Sequence, residues 1–203
     1  MWYSGSERHR NGVGILVDEE FRWQVVEVMR ASDRLMTIKL VIVGFMLHVC
    51  SVYASQTVLD AEVKARFWEA LDEVLRSVPS SENIVIVRDF NRHIRVLPGG
   101  YDDVHESFGF SDRNGEGAAL LDFTRAFGLV VVNSSFLKKE DHLITFRSAI
   151  GKTQIDFLLL RKGDRAFCKD YKVIPSKYLL TQHRLLVMDL IIKKSKKRNA
   201  GEG

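Results

Sequence analysis

A chain of 203 residues, 46% hydrophobic and 28% charged, carries enough apolar content for one packed domain and too much for wholesale disorder. Its 30 Lys+Arg against 26 Asp+Glu give a formal net charge of +4, mildly basic, which permits an anionic partner without requiring one. The two cysteines, Cys50 and Cys168, lie far apart with no C-x-x-C. A thiolate zinc site and a redox motif are thus unsupported, and the surroundings read as reducing and intracellular.

The opening MWYSGSERHRNG is polar and has no apolar h-region, so a secreted protein is not expected. Residues 12–18 and 23–30 read as strands, separated from their neighbours by the polar breaks EEFR and ASDR. Residues 35–54, LMTIKLVIVGFMLHVCSVYA, are long enough to span a bilayer. Lys39 and His48 interrupt that run, Gly44 sits at its centre, and β-branched residues abound. Two strands joined by a tight turn at Gly44 fit better, and no membrane partner is expected. Strands spaced this closely pair antiparallel, because no crossover helix fits between them.

The period then changes. Over residues 60–79, Val63, Phe67, Leu71, Val74, Leu75 and Val78 recur at three- and four-residue spacing, which predicts one apolar helix face ended by Pro79. NIVIVRDFNRHI follows, a branched apolar strand running into Arg88, Asp89, Phe90 and Asn91. Apolar residues on both faces put this strand in the middle of a sheet. A long polar, glycine-rich stretch leads to a second helix over residues 116–128, with Gly128 as its stop. Residues 129–133, 143–147 and 154–160 read as strands. A last one, LLVMDLII, follows TQHR. The fold class is α/β, with mostly antiparallel sheets stacked face to face and helices outside. Residues 1–192 form the domain. Residues 193–203, KKSKKRNAGEG, form a basic tail, read as a solvated end, with a nuclear address or nucleic-acid arm as the other reading.

In four places a polar residue suited to a metal or a phosphate stands at an apolar strand: Tyr53, Asp89 with Asn91, Asp156 in QIDFLLL, and His183 ahead of the last strand. Each also has a plainer explanation. Asp89 and Asn91 suit a strand-to-loop turn, Tyr53 a half-buried structural ring, and His183 a capped surface histidine. Asp156 is the hardest to explain plainly, since a carboxylate in an apolar strand needs a partner or a cation. No phosphate-binding loop, dinucleotide fingerprint or G-x-S-x-G occurs, so no small-molecule cofactor is expected.

Taken together, YAS, RDFN, QIDFLLL and TQHR, in this order and spacing, resemble the endonuclease/exonuclease/phosphatase superfamily, whose patterns are Tyr-Ala-Pro, Gly-Asp-x-Asn, an Ile-Asp strand and Ser-Asp-His. RNGVGILVD, FWEALDEV, HLITFRS and TQHRLLV look, more closely, like plant sequences named after craniofacial development protein, derived from LINE-type retroelement endonucleases. The resemblance covers residues 11 to about 192. It implies a four-layered α/β sandwich and phosphodiester hydrolysis with Mg or Mn, the metal held by Asp89 and Asp156. It further implies that Asp89 activates water, Asn91 orients it, His183 bonds the phosphate, and Asp156 orients His183 or assists the metal. Tyr53, Asn11 and Arg147 would lie on the phosphate- and nucleic-acid-binding face, with DNA as the partner.

The departures from the family pattern are chemical. The matched region starts after the family's opening strand-helix-strand, so that unit and its metal-binding glutamate are expected to be missing, leaving a sheet edge or slot uncovered; Glu7, Glu19 and Glu20 do not stand in the required context. Gln182 replaces the aspartate before the histidine, Arg88 replaces the glycine before Asp89, and Ser55 replaces a proline. The sequence therefore reads as a degenerate, inactive domain of retroelement origin. An active Mg-dependent endonuclease and a non-catalytic interaction module are the alternatives.

Overall fold

The computed structural model describes residues 1–5, 12–53, 61–89, 104, 115–149, 151–175 and 182–192, the side chains of residues 61, 88 and 115–119 excepted. Asn11, Asn91 and the basic tail from residue 193 lie outside the described residues.

In chain order come β1 (Trp2–Ser4), β2 (Val13–Ile15), α1 (Glu19–Arg22), β3 (Val25–Ser32), β4 (Leu35–Ile42), β5 (Phe45–Tyr53), α2 (Ala61–Ser77), β6 (Asn83–Asp89) and α3 (Gly115–Ala126). They are followed by β7 (Leu129–Val131), β8 (Phe146–Arg147), β9 (Lys152–Thr153), β10 (Asp156–Arg161), β11 (Cys168–Ile174) and β12 (Leu185–Leu190). Among the described residues, six strands form one mixed sheet in the order β3-β4-β5-β6-β10-β7. β5 and β6 run parallel, joined by the crossover through α2, and all other pairings are antiparallel.

The expected turn at Gly44 is a two-residue hairpin in which Val43 and Gly44 both have positive φ, 52° and 80°. That is the geometry whose twist matches the flanking strands. Residues 35–54 are thus two strands as far as Tyr53, and no helix among the described residues is long and apolar enough to cross a membrane. Gly128 stops α3 with φ 60°, as the sequence predicts.

One face of the six-stranded sheet lies under the helices. Cys50, Val52, Ile84, Ile86, Phe157 and Leu159 pack there against Leu71, Val74 and Leu75 of α2 and Leu120 and Leu121 of α3. Each branched side chain fully buried in this way contributes roughly 1.5–3 kcal/mol. The opposite face carries a second layer of strands. Leu47, Val85, Leu158 and Leu160 pack against Cys168 and Tyr171 of β11, with Leu186, Met188 and Leu190 of β12 alongside. Met36, Ile38 and Leu40 pack against Val13 and Ile15 of β2. Strands face to face with helices outside is the architecture the sequence implies.

Four local readings change. EEFR is a helical turn rather than a break, capped by Asp18, whose Oδ1 accepts the Glu20 N–H at 3.1 Å. Residues 129–133 stay extended only to Val131 and then wind into a 3-10 turn over Val132–Ser135. Only Phe146 and Arg147 of residues 143–147 are in a strand, and β10 starts at Asp156 rather than at residue 154.

Candidate functional site

Register brings the polar strand ends together. In the parallel pair β5–β6, Tyr53 stands opposite Asp89; in the antiparallel pair β6–β10, Asp89 stands opposite Asp156. Three residues from three adjacent strands therefore form one row at one edge of the sheet. The crossover through α2 is what makes this possible, because a parallel pair puts both strand ends on the same side.

His183 reaches the row from the second layer. An isolated bridge pairs it with Phe146, and their rings meet edge to face at 5.0 Å. The bridge is flanked by two backbone bonds: Arg147 N–H donates to Gln182 O at 2.9 Å, and Arg184 N–H donates to Thr145 O at 2.7 Å. Held there, His183 lies between the two acids. Its Nδ1 donates to Asp156 Oδ2 at 3.1 Å, and its Nε2 lies 3.7 Å from Asp89 Oδ2. All three side chains are partly buried, Asp89 and Asp156 more deeply than His183. The Asp156 hydrogen bond, with the charges of Asp156 and Asp89 behind it, holds the imidazole above its ordinary pKa; partial burial opposes this.

Two buried residues that the sequence reading passed over position Asp156. Thr145 Oγ1 accepts the N–H groups of Ile155 and Asp156 at 3.0 and 3.1 Å. Because the Thr145 carbonyl also receives Arg184, one residue ties the aspartate's strand to the histidine's segment. Asn133, 1% exposed, donates from Nδ2 to Asp156 O at 3.2 Å and accepts Leu158 N–H at Oδ1, at 2.8 Å. Asn133 stands where β7 ends, and its amide continues the hydrogen bonding that the shortened strand no longer supplies to β10. Both had a signal in the sequence: a polar residue within or directly after an apolar run, as at Asp89.

Ligand atoms of Asp89, Asp156 and His183 all lie within 4.8 Å of one another. Carboxylate oxygens suit Mg or Mn, which keep several of their waters. Asp156 Oδ2 already accepts from His183, and the carboxylate oxygens of Asp89 and Asp156 are the atoms of the set that could hold such an ion. Tyr53 lies beside Asp89 in the row, with the Arg34 guanidinium over its ring at 5.9 Å. Arg147 is joined through its backbone to Gln182, and its side chain is exposed.

The chain is 26% identical over 198 residues to craniofacial development protein 2 of Bos taurus, a match covering 95% of this chain and 33% of that protein. It thus spans about a third of the length of the curated relative. The endonuclease domain of TRAS1, a telomere-specific non-LTR retrotransposon, superposes with a TM-score of 0.58 at 11% identity, over 80% of this chain and 66% of that one. The fold is that of the endonuclease/exonuclease/phosphatase proteins. The 3' phosphatase NExo from Neisseria, solved bound to a product DNA hairpin, also shares it, with a TM-score of 0.57 at 15% identity over 79% of this chain and 66% of that one. No protein-family model matches the chain.

Proposed function

We propose that this domain recognises the phosphodiester backbone of nucleic acid at the Tyr53–Asp89–Asp156–His183 row and hydrolyses it poorly: a degenerate phosphodiesterase of retroelement descent. The observation that carries the reading is His183 held between two aspartates at the ends of adjacent strands. When protonated, the ring held so would offer its Nε2–H to a phosphate oxygen, and Tyr53, opposite Asp89 in the row, would add a hydroxyl. Asp89 would deprotonate a water, while Asp156 bonds the ring of His183. Asn91, two residues beyond Asp89, would orient that water, and Asn11 and Arg147 belong to the binding face. A divalent ion, when bound to Asp89 and Asp156, would neutralise charge on the phosphate and the leaving oxygen.

The weakness lies in the charges around the row. Gln182 supplies an uncharged amide where the family pattern has a carboxylate, so one negative charge fewer stands next to His183 and next to any bound cation. Losing about 4 kcal/mol of transition-state stabilisation through such changes slows a reaction roughly a thousandfold.

The test is the purified chain with supercoiled plasmid in Mg²⁺ or Mn²⁺. The expected result is DNA retention that weakens steeply with salt and is reduced in His183→Ala, with no nicking above the Asp89→Ala control. Metal-dependent nicking that disappears in both Asp89→Ala and His183→Ala would overturn the claim of poor hydrolysis. Failure to retain DNA at low salt would overturn the claim of recognition.

A further inference from the structure

The two long helices on the outer face of the large sheet leave an open groove of about 630 Å³ between them. Its floor is aromatic. Trp68 lies 4.8 Å from Phe123, and Phe123 lies 4.7 Å from Phe127, ring centre to ring centre. Its walls are acidic, with Glu69, Asp72 and Glu73 on α2 and Asp122 on α3. The three rings are half-buried, packed on the core that Leu71, Val74 and Leu75 of α2 help to form, and their outer sides line the groove. An apolar centre with a charged rim is the arrangement found at docking surfaces.

The sign of the rim narrows what fits. The chain as a whole is basic, at +4, yet this groove gathers four carboxylates. Nucleic acid and anionic lipid are repelled from it, whereas a cationic segment is attracted. Arg76, largely exposed beside the groove, shows how a cation meets two residues of its lining. Arg76 Nε donates to Asp72 Oδ2 at 2.8 Å, and its guanidinium lies over the Phe127 ring at 5.6 Å. A carboxylate on one side and a ring face on the other hold it.

We propose that the groove docks a basic peptide of a partner protein, with lysines or arginines on the acidic rim and one large apolar side chain on the Trp68–Phe123–Phe127 floor. The chain's own residues 193–203 match the rim, with Lys193, Lys194, Lys196, Lys197 and Arg198. They contain no aromatic or branched aliphatic residue to cover the floor. A partner segment that supplies both features complements the groove better. It would bind as apolar anchors do in other peptide grooves, with flanking charges setting orientation and on-rate.

The experiment is fluorescence anisotropy with a short fluorescein-labelled peptide bearing lysines and arginines around a central Leu-Phe pair. Three competitors are compared: the same peptide with Ser-Ser at its centre, an acidic counterpart, and the tail sequence KKSKKRNAGEG. Saturable binding is expected, weakened about tenfold or more by the exposed double charge reversal Glu69→Lys with Glu73→Lys and again by Trp68→Ala. Raising the salt should weaken it further. Circular dichroism of each variant confirms that the fold is kept, and the charge reversal gives the answer even if Trp68→Ala unfolds. Unchanged affinity in the charge-reversed protein, equal affinity for the Ser-Ser peptide, or no saturation at millimolar peptide would overturn the proposal. So would tighter binding by the tail sequence, which would make the tail the occupant. Binding by the acidic counterpart would show that charge does not select the ligand.

Discussion

Asn133→Ala tests whether a buried amide, rather than a strand, holds β10 in place behind the site. Asn133 is 1% exposed and serves two backbone groups of β10: the carbonyl of Asp156, 3.2 Å from its Nδ2, and the amide of Leu158, 2.8 Å from its Oδ1. β7 pairs with β10 only from Leu159 onward, so no strand on that side replaces the lost bonds. Leaving a buried backbone group unsatisfied costs about 1–3 kcal/mol, and two such groups with partial relaxation give roughly 2–4 kcal/mol. In a domain of this size that lowers the melting temperature by roughly 4–16 °C. Urea unfolding followed by circular dichroism measures it, with Ser135→Ala as the control. The Ser135 hydroxyl makes a 3.4 Å bond to Val131 O from a half-buried position, and its loss should cost under about 0.5 kcal/mol. If Asn133→Ala also costs under about 0.5 kcal/mol, the argument that this side chain substitutes for a strand is wrong.

Two further predictions concern the frame around the site. Val43 is a β-branched residue at φ 52° and is 63% exposed, so Val43→Asn removes backbone strain with little packing loss. It should raise stability by roughly 0.5–1 kcal/mol in the same urea assay, and a loss would show that Val43 packs more than it strains. At the other end of the sheet, Glu82 Oε2 lies 2.5 Å from His48 Nε2 and 2.8 Å from Lys39 Nζ. The His48 hydrogen bond, then that of Lys39, holds the Glu82 carboxyl below its ordinary range. A depressed folded pKa gives stability that is complete above the unfolded value, near pH 4.3 for Glu, and is lost as the pH falls through the folded value. Glu82→Gln should therefore be less stable than the parent at pH 7, with the difference shrinking below about pH 4.3. Parallel stability curves for the two proteins across that range would refute this.

Much of the fold was legible because its signals are local. The helix face from Val63 to Val78 and the turn at Gly44 are written in spacing and residue type, and α2 and the β4–β5 hairpin follow them. β11 was not legible, and the reason is a bulge. Its pairing with β12 shifts register between Cys168 and Asp170, so its buried residues fall at Cys168, Tyr171 and Val173, three apart and then two. Strict alternation, the mark by which a half-buried strand is recognised, is broken within the strand. The short β7 has a different cause: apolar Val132 continues the run in sequence, while its backbone has already turned. At the site, Tyr53, Asp89 and Asp156 could be named because each interrupts or ends an apolar stretch, and His183 because it stands just ahead of one. Their meeting could not be read directly, since it depends on the pairing of β5 with β6 and of β6 with β10.

That dependence bears on what an assembled row implies. Tyr53, Asp89 and Asp156 are aligned by strand register, and the register is set by Val49, Val85, Ile86, Leu158 and their neighbours, whose apolar side chains must face one core or the other. A one-residue slip would turn every one of those side chains to the wrong face. The row therefore survives as long as the fold does, whether or not chemistry is performed there. The informative positions are those that packing does not dictate. Residue 182 is exposed and joined to its neighbours through its backbone carbonyl, so the fold is indifferent to a carboxylate or an amide there. A carboxylate at that point would bring a third negative charge next to His183 and strengthen any cation site formed with Asp89 and Asp156. Gln182 does neither. Under the function proposed above, geometry kept by packing, together with neutral chemistry at a position packing leaves free, would leave a phosphate-binding row with little power to cut.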